Sequence, residues 1–382
     1  MSTASESWAK RAENVAWEVL ARHAAEVDEQ ARWPRESVAA LSESGLLGLT
    51  VPAAFGGAGE GARTFAGVTQ TLAGQCASTA MIYLMHVCGT QMIAAAPEFP
   101  RREAVLRDIA GGRHLSTLAV SEKGSRSHFW AAVSQARLDG DLHLISAQKS
   151  WVTSAGHADS YIVTTRGVGR TDPMATTAYY VPRDSPGMAV SGPWNGLGLR
   201  GNSSAPMILE NVTLKAWSRL SVEGEAFQMM MSSLLPLFQI GSAAVSVGIA
   251  RAATQATRQH LLSSKLEHLG QTLASLMNLR IRLAQMQIAV DAQEAFMHHV
   301  AQRMENPGPD TMLAVLESKA AAAEMALNVT DMAMRSCGGA AFSRHLSVER
   351  NFRDARAASV MAPTTDVLYD FVGKTLLELP LF

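Results

Sequence analysis

The sequence predicts an α+β protein built in three successive parts: a helical N-terminal domain over residues 1–112, a middle antiparallel β-domain over 113–222 and a C-terminal four-helix bundle over 223–382. Three observations carry this. Hydrophobic residues recur with a helical period in the first and last parts, and they fall in short runs broken by turns in the middle. The 382 residues also exceed the roughly 250 to 300 at which a single core stops growing.

In the first part, Trp8, Val15, Val19 and Leu20 are spaced for one buried stripe with charges between them. The run Phe55-Gly56-Gly57-Ala58-Gly59 punctuates the helices. From Thr71 to Ala95 no Asp, Glu, Lys or Arg occurs. A helix facing water could not be so apolar all round, so this one belongs in the interior.

In the middle part, Leu138-Asp139-Gly140-Asp141-Leu142 reads as a hairpin, because Asp-Gly suits a type I′ turn and both flanks alternate. Tyr161 to Thr165, Ala178 to Val181 and Met207 to Leu209 read as further strands. In the last part, Leu276, Leu283, Val290 and Met297 recur every seventh residue, with Leu279 and Met286 between them. That is the seam of a helix packed in a bundle.

Gly241, Ser242, Ala243, Ala244, Ser246, Gly248 and Ala250 give another helix a narrow surface suited to close approach by a neighbour. Asn306-Pro307-Gly308-Pro309-Asp310 ends one helix and caps the next, which runs through Ala320 to Ala323 towards Gly338. A last helix starts at Thr364 or Thr365, just after Pro363.

Composition narrows the function. With 33 Lys+Arg against 34 Asp+Glu, the chain has no net field to hold a polyanion by counterion release, which argues against nucleic acid. Cys76, Cys88 and Cys337 are odd in number and far apart, with no zinc-ligand spacing, and read as buried thiols in a reducing compartment. The N-terminus has no signal-peptide pattern, and nowhere do 18 apolar residues run together, so the expectation is a cytoplasmic protein without a membrane span.

Few motifs suggest chemistry on their own. Gly57-x-Gly59-x-x-Ala62 superficially matches a dinucleotide-binding turn, yet no Asp or Glu follows Glu60 until Glu98, so the ribose-binding acid is missing and a plain glycine turn is the better reading. His298 and His299 are adjacent on a helix and point apart, with no HExxH pattern and no metal site implied. The segment Val120 to Ser127 puts hydroxyls and flexible backbone at a strand end, where main-chain N–H groups could grip a phosphate or a flavin edge. Lys149-Ser150-Trp151-Val152-Thr153 puts an indole and a hydroxyl two residues apart, on one strand face by simple alternation.

These segments belong to a wider pattern. Gly48-x-x-x-Pro52-x-x-x-Gly56-Gly57-x-Gly59, the stretch Ser121-Glu122 to Ser127, and Lys149-x-Trp151-Val152-Thr153 are followed by Gly198-x-Arg200-Gly201, Gly248-Ile249-Ala250, Leu283-Ala284-Gln285-Met286 and Gly338-Gly339. The pattern closes with Val348-Glu349-Arg350-x-x-Arg353-Asp354-Ala355-Arg356, whose place after the paired glycines makes it the most specific stretch. Over nearly its whole length the chain resembles the acyl-CoA dehydrogenase superfamily.

The resemblance implies the three-part fold, assembly as a homodimer or homotetramer, and FAD held between the β-domain and the bundle, partly by a neighbouring subunit. By position, Ser121, Ser127, Trp151 and Thr153 would contact the flavin, with Ser127 also near the acyl group. Gly338 and Gly339 would pass the adenine half, and Thr364 and Thr365 would face the cofactor at a helix start, a favourable place for flavin or phosphate oxygen.

The sequence departs from the family at the reacting end. The glutamate that takes the α-proton falls at Ala362, followed by Pro363, and the alternative position on an earlier helix falls at Phe238. The arginine beside that position becomes Gln239, the cofactor-gripping Arg-x-x-Phe-Gly is not evident near Lys265 and Leu266, and the glutamine before the paired glycines becomes Arg335.

Three functions remain open on the residues. The first is an acyl thioester oxidoreductase using FAD, an electron-transfer partner and a relocated base, for which Asp366, one turn beyond Ala362, is the nearest candidate. The second is a monooxygenase that takes reduced flavin from a reductase and activates oxygen, with His128 as a substrate-facing hydrogen-bonding group. The third is a non-redox thioester-binding protein.

Overall fold

The fold is described from a computed structural model over residues 6–97 and 99–381, so Glu98 lies outside the described residues. Helix α1 (Trp8–Val15) starts where the Ser7 hydroxyl accepts the Lys10 amide, and it continues through a π-helical turn into α2 (Ala21–Glu29). Its inner face is Ala12, Val15, Ala16, Leu20, Ala24 and Val27, while Trp8 and Val19 are half-buried at the edge. Three more helices follow: α3 (Arg35–Glu43), α4 (Ala62–Ala73) and α5 (Ala77–Ala95). The uncharged run from Thr71 therefore spans the end of α4, a turn at 74–76, and α5, whose Ile82, Tyr83 and Leu84 are all fully buried.

The glycine segment folds back on the chain before it. Gly59 donates to the Val51 carbonyl at 2.9 Å and Glu60 to that of Leu49 at 3.0 Å. Gly56 and Gly59 have φ of 84° and 66°, and a Cβ on Gly57 would overlap Val51. Positive φ explains Gly56 and Gly59, and close backbone approach explains Gly57. Helix α6 (Arg102–Ala110) closes the first part.

The β-region holds seven strands: β1 (Ser116–Ala119), β2 (Arg137–Asp139), β3 (Leu142–Val152), β4 (Ser160–Arg166), β5 (Thr176–Pro182), β6 (Met188–Val190) and β7 (Ala205–Lys215). One sheet has the order β1-β4-β5, with β1 and β4 parallel, and the other has the order β2-β3-β7-β6, antiparallel throughout. The expected hairpin forms with Asp139 opposite Leu142. Its two-residue loop is Gly140-Asp141, and positive φ occurs at Gly140 but not at Asp141, which is the type II′ pattern, not the expected I′.

The last part begins with α7 (Ala226–Met229), a π-helical turn and α8 (Leu235–Ser263), then a short hairpin of β8 (Lys265–Leu266) and β9 (Gln271–Thr272). Helices α9 (Met277–Glu305), α10 (Thr311–Cys337), α11 (Gly339–Phe342), α12 (Val348–Val360) and α13 (Thr365–Leu376) complete it. Helices α8, α9, α10 and α12 form the bundle, with α13 laid on α10. On α9 the seam is Leu279, Met286, Val290 and Met297, all buried, with Leu276 and Leu283 half-buried at its margin.

Asp310 occupies the N-cap position of α10 without a side-chain bond. The Thr311 hydroxyl instead accepts the Gly308 amide at 2.8 Å.

The small residues of α8 serve packing within this chain. A Cβ on Gly241 would strike Leu84 and Phe65, and one on Gly248 would strike the Gln70 carbonyl and Ala73. Helix α8 thus lies against α4 and α5, and its narrow surface is not available to another copy. The continuous helical stretch Ala226–Ser263 is long and apolar enough to cross a membrane, but 83% of its most apolar window is buried inside the protein.

The Arg353-Asp354 run joins all three parts. Arg353 pairs with Asp28 of α2 at 2.5 Å and with Glu349 at 2.8 Å, and it donates to the Leu197 carbonyl at 3.1 Å. Buried Asp354 accepts the Leu199 amide at 2.7 Å, and a Cβ on Gly198 would collide with the Arg353 carbonyl. The most specific motif of the sequence is therefore a structural junction.

Candidate active site

The candidate site lies where the loop after β1 meets the start of α13. Glu122 fixes this loop. Its carboxylate pairs with Lys149 of β3 at 2.7 Å, both side chains being buried, and accepts the amides of Val133 at 2.6 Å and Ser134 at 2.7 Å as well as the Ser134 hydroxyl. Burial alone would raise the Glu122 pKa, but the Lys149 charge and these hydrogen bonds together hold it below the ordinary value. The Ser121 carbonyl accepts the Ser150 amide at 2.9 Å, so Ser121 is locked to the edge of β3.

Beyond Lys149 the pairing of β3 with β7 shifts register, and Trp151 takes a positive φ of 58°. This bulge turns the indole outward, leaving Trp151 67% exposed with an edge-on contact to Trp194. Thr153 points inward instead. It is buried, with its hydroxyl 2.9 Å from that of Ser204. The indole and the hydroxyl therefore do not share one strand face, because the bulge breaks the alternation on which that expectation rested.

Opposite the loop, the Thr364 amide donates to the Ser127 hydroxyl at 3.0 Å. Thr365, the first residue of α13, is buried, and its hydroxyl has no hydrogen-bond partner among the described residues. His128 is exposed and stacks on Trp130. Asp366 is exposed in the first turn of α13, whereas half-buried Ala362 lies in the link before that helix, so the two are not one helical turn apart on a shared face as expected.

Gly338 and Gly339 lie at the far end of α10, about 28 Å along the helix from Lys319 at 1.5 Å per residue. Within one chain they are not brought together with Ser127 and Thr364. Space is open around both, since an added Cβ on either would meet nothing within 4 Å. Among the described residues, no cluster of three His, Cys, Asp or Glu side chains could hold a metal ion.

Sequence reasoning missed Lys319. Its amine donates to the carbonyls of Met361 at 2.9 Å and Pro363 at 2.5 Å, on either side of Ala362, and lies 5.7 Å from the ring centroid of Phe238. Burial pulls its pKa down to about 7. The available signal was a lone lysine heading the alanine run Ala320 to Ala323. Gln239 was noted in the sequence only as a replaced arginine. It is fully buried, and neither end of its amide finds a partner among the described residues.

Three family models together span almost the whole chain: the acyl-CoA dehydrogenase N-terminal domain over residues 2–113, the middle domain over 117–212 and the C-terminal domain over 225–377. The chain is 29% identical over 358 residues to the mitochondrial short-chain specific acyl-CoA dehydrogenase of Bos taurus, covering 93% of this chain and 85% of that one. It is 28% identical over 369 residues to cyclohex-1-ene-1-carbonyl-CoA dehydrogenase of Geobacter metallireducens, covering 95% of each. The solved structure of butyryl-CoA dehydrogenase from Megasphaera elsdenii has the same fold, with a TM-score of 0.92 at 22% identity over 99% of this chain and 100% of that one.

Proposed function

Because the chain belongs to the acyl-CoA dehydrogenase family, we propose that it is an FAD-dependent oxidoreductase that takes hydrogen from an acyl thioester and passes electrons to an electron-transfer partner. The observation that carries this reading is the contact of Ser127 with the start of α13, beside the buried and unpartnered Thr365 hydroxyl. An orphaned buried hydroxyl is costly unless a ligand satisfies it. The residues fit FAD, which when bound supplies a two-electron acceptor.

Trp151 offers an exposed aromatic face, and to the same cofactor we assign the polar groups of Ser121, Ser127, Thr153, Thr364 and Thr365. The N-terminus of α13 favours an electron-rich ligand edge. Gly338 and Gly339 leave room for an adenine half, and their separation from Ser127 supports a cofactor shared between copies. A homodimer or homotetramer follows from that reading. The outer face of α9, where Met277, Ile281 and Ile288 are each at least half exposed, supports a second copy covering it.

Ser127 and His128 would face the acyl group. With alanine at 362 and phenylalanine at 238, the acceptor we assign for the α-proton is Asp366, and its exposed, unburied setting implies slow chemistry. That same lack of a carboxylate at 362 and 238 favours a second reading, oxygen chemistry with reduced flavin supplied by a reductase.

The experiment that tests cofactor placement is FAD titration of Trp151→Ala. The side chain is exposed, so the variant should fold as wild type and bind FAD more weakly or with less fluorescence quenching. Unchanged affinity and spectrum would count against the placement.

A further inference from the structure

Lys319 sits in the interior of the bundle, with no exposed side-chain surface. An ammonium there loses its hydration, which only good partners offset. Its hydrogen-bond partners are two backbone carbonyls, those of Met361 and Pro363. Both belong to the short link between α12 and α13, where the chain can form few bonds of its own. Pro363 has no N–H to give, and the Thr364 amide is committed to Ser127.

We infer that Lys319 is a positioning residue of the proposed oxidation: its buried amine clamps the peptide units on either side of Ala362, and so holds Thr364 and Thr365 against the loop at Ser127. The inference rests on the functional reading above. The choice of side chain follows from donor chemistry. Two inward carbonyls need two N–H donors on a slender stem, which a carboxylate cannot provide, and arginine would bring a permanent charge and a wide fork. A lysine whose pKa is drawn down to about 7 can shed its charge and still donate twice.

The clamp acts on the cofactor edge through another segment, so its loss should be felt there more than in overall stability. Lys319→Met keeps length and apolar bulk while removing both donors, and Lys319→Gln keeps an N–H donor on a shorter stem. Each is measured against wild type for melting temperature, for amide hydrogen exchange across 361–366 in the FAD-free protein, and for FAD affinity and visible spectrum.

The expected result for Lys319→Met is a melting temperature within a few degrees of wild type, faster exchange confined to 361–366, a shifted flavin band and FAD affinity reduced about tenfold or more. Lys319→Gln should fall between the two, and is read in its place if the methionine variant does not fold. Wild-type affinity, spectrum and exchange in the variant overturn the clamp. So does an affinity loss that merely tracks melting temperature. If wild type itself binds no FAD the functional reading fails, and the exchange measured without flavin separates that failure from failure of the clamp.

Discussion

The Thr364 amide donates to the Ser127 hydroxyl at 3.0 Å, joining residues 237 positions apart in the chain. With a second bond, in which the Ser127 hydroxyl donates to the Thr364 hydroxyl at 3.4 Å, it ties a loop of the β-region to the N-terminus of α13, where the helix dipole is positive.

Ser127→Ala removes that acceptor and a proposed flavin contact together. FAD affinity is expected to fall by about tenfold, the worth of roughly one hydrogen bond of 1.4 kcal/mol. The melting temperature of the FAD-free protein should change little. Fluorescence titration with FAD checks this, and wild-type affinity would speak against the contact.

Asp354 should give the protein a pH-dependent stability. Burial raises its pKa from 3.8 to about 6, despite the Leu199 amide and the nearby Arg350 and Arg353. A carboxyl with a raised folded-state pKa favours the fold below its unfolded value, and the benefit is lost as pH rises through about 6. The loss is on the order of 3 kcal/mol between about pH 4 and 7. Asp354→Asn keeps an oxygen for Leu199 but cannot ionise, so its denaturation midpoint should vary less over that range. An equally steep profile would refute the assignment.

Ile281→Glu combined with Ile288→Glu puts two charges on the exposed face of α9. The proposed self-association through this face should weaken, shifting sedimentation towards the monomer, with FAD affinity falling alongside. An unchanged oligomer would mean that another surface joins the copies.

Much of the fold was legible because periodicity reports burial directly. Leu279, Met286, Val290 and Met297 marked the α9 seam, and the uncharged stretch to Ala95 marked the interior of the first part. The site was less legible. Trp151 and Thr153 obey strand alternation in the sequence, and only the pairing of β3 with β7 reveals the bulge that separates them. The Arg353-Asp354 run stood out for its specificity, yet its work is to tie Asp28, Glu349 and Leu199 together. Lys319 was missed because its partners are backbone carbonyls, which any residue could supply. The small residues of α8 signalled close approach correctly, but not that Phe65, Leu84 and Ala73 of the same chain make it.

Anaerobic mixing of the FAD-loaded protein with straight-chain, branched and aromatic acyl-CoA thioesters, followed through the visible absorbance of oxidised flavin, tests the proposed oxidation most directly. At least one thioester should bleach the flavin. Simple straight-chain substrates should do so slowly, since a well-positioned base is worth about 10² to 10⁴-fold and neither Ala362 nor Phe238 provides one. Asp366→Asn should abolish the bleaching and leave flavin binding intact. No bleaching by any thioester, with oxygen-dependent turnover when reduced flavin is supplied, would contradict the proposed oxidation.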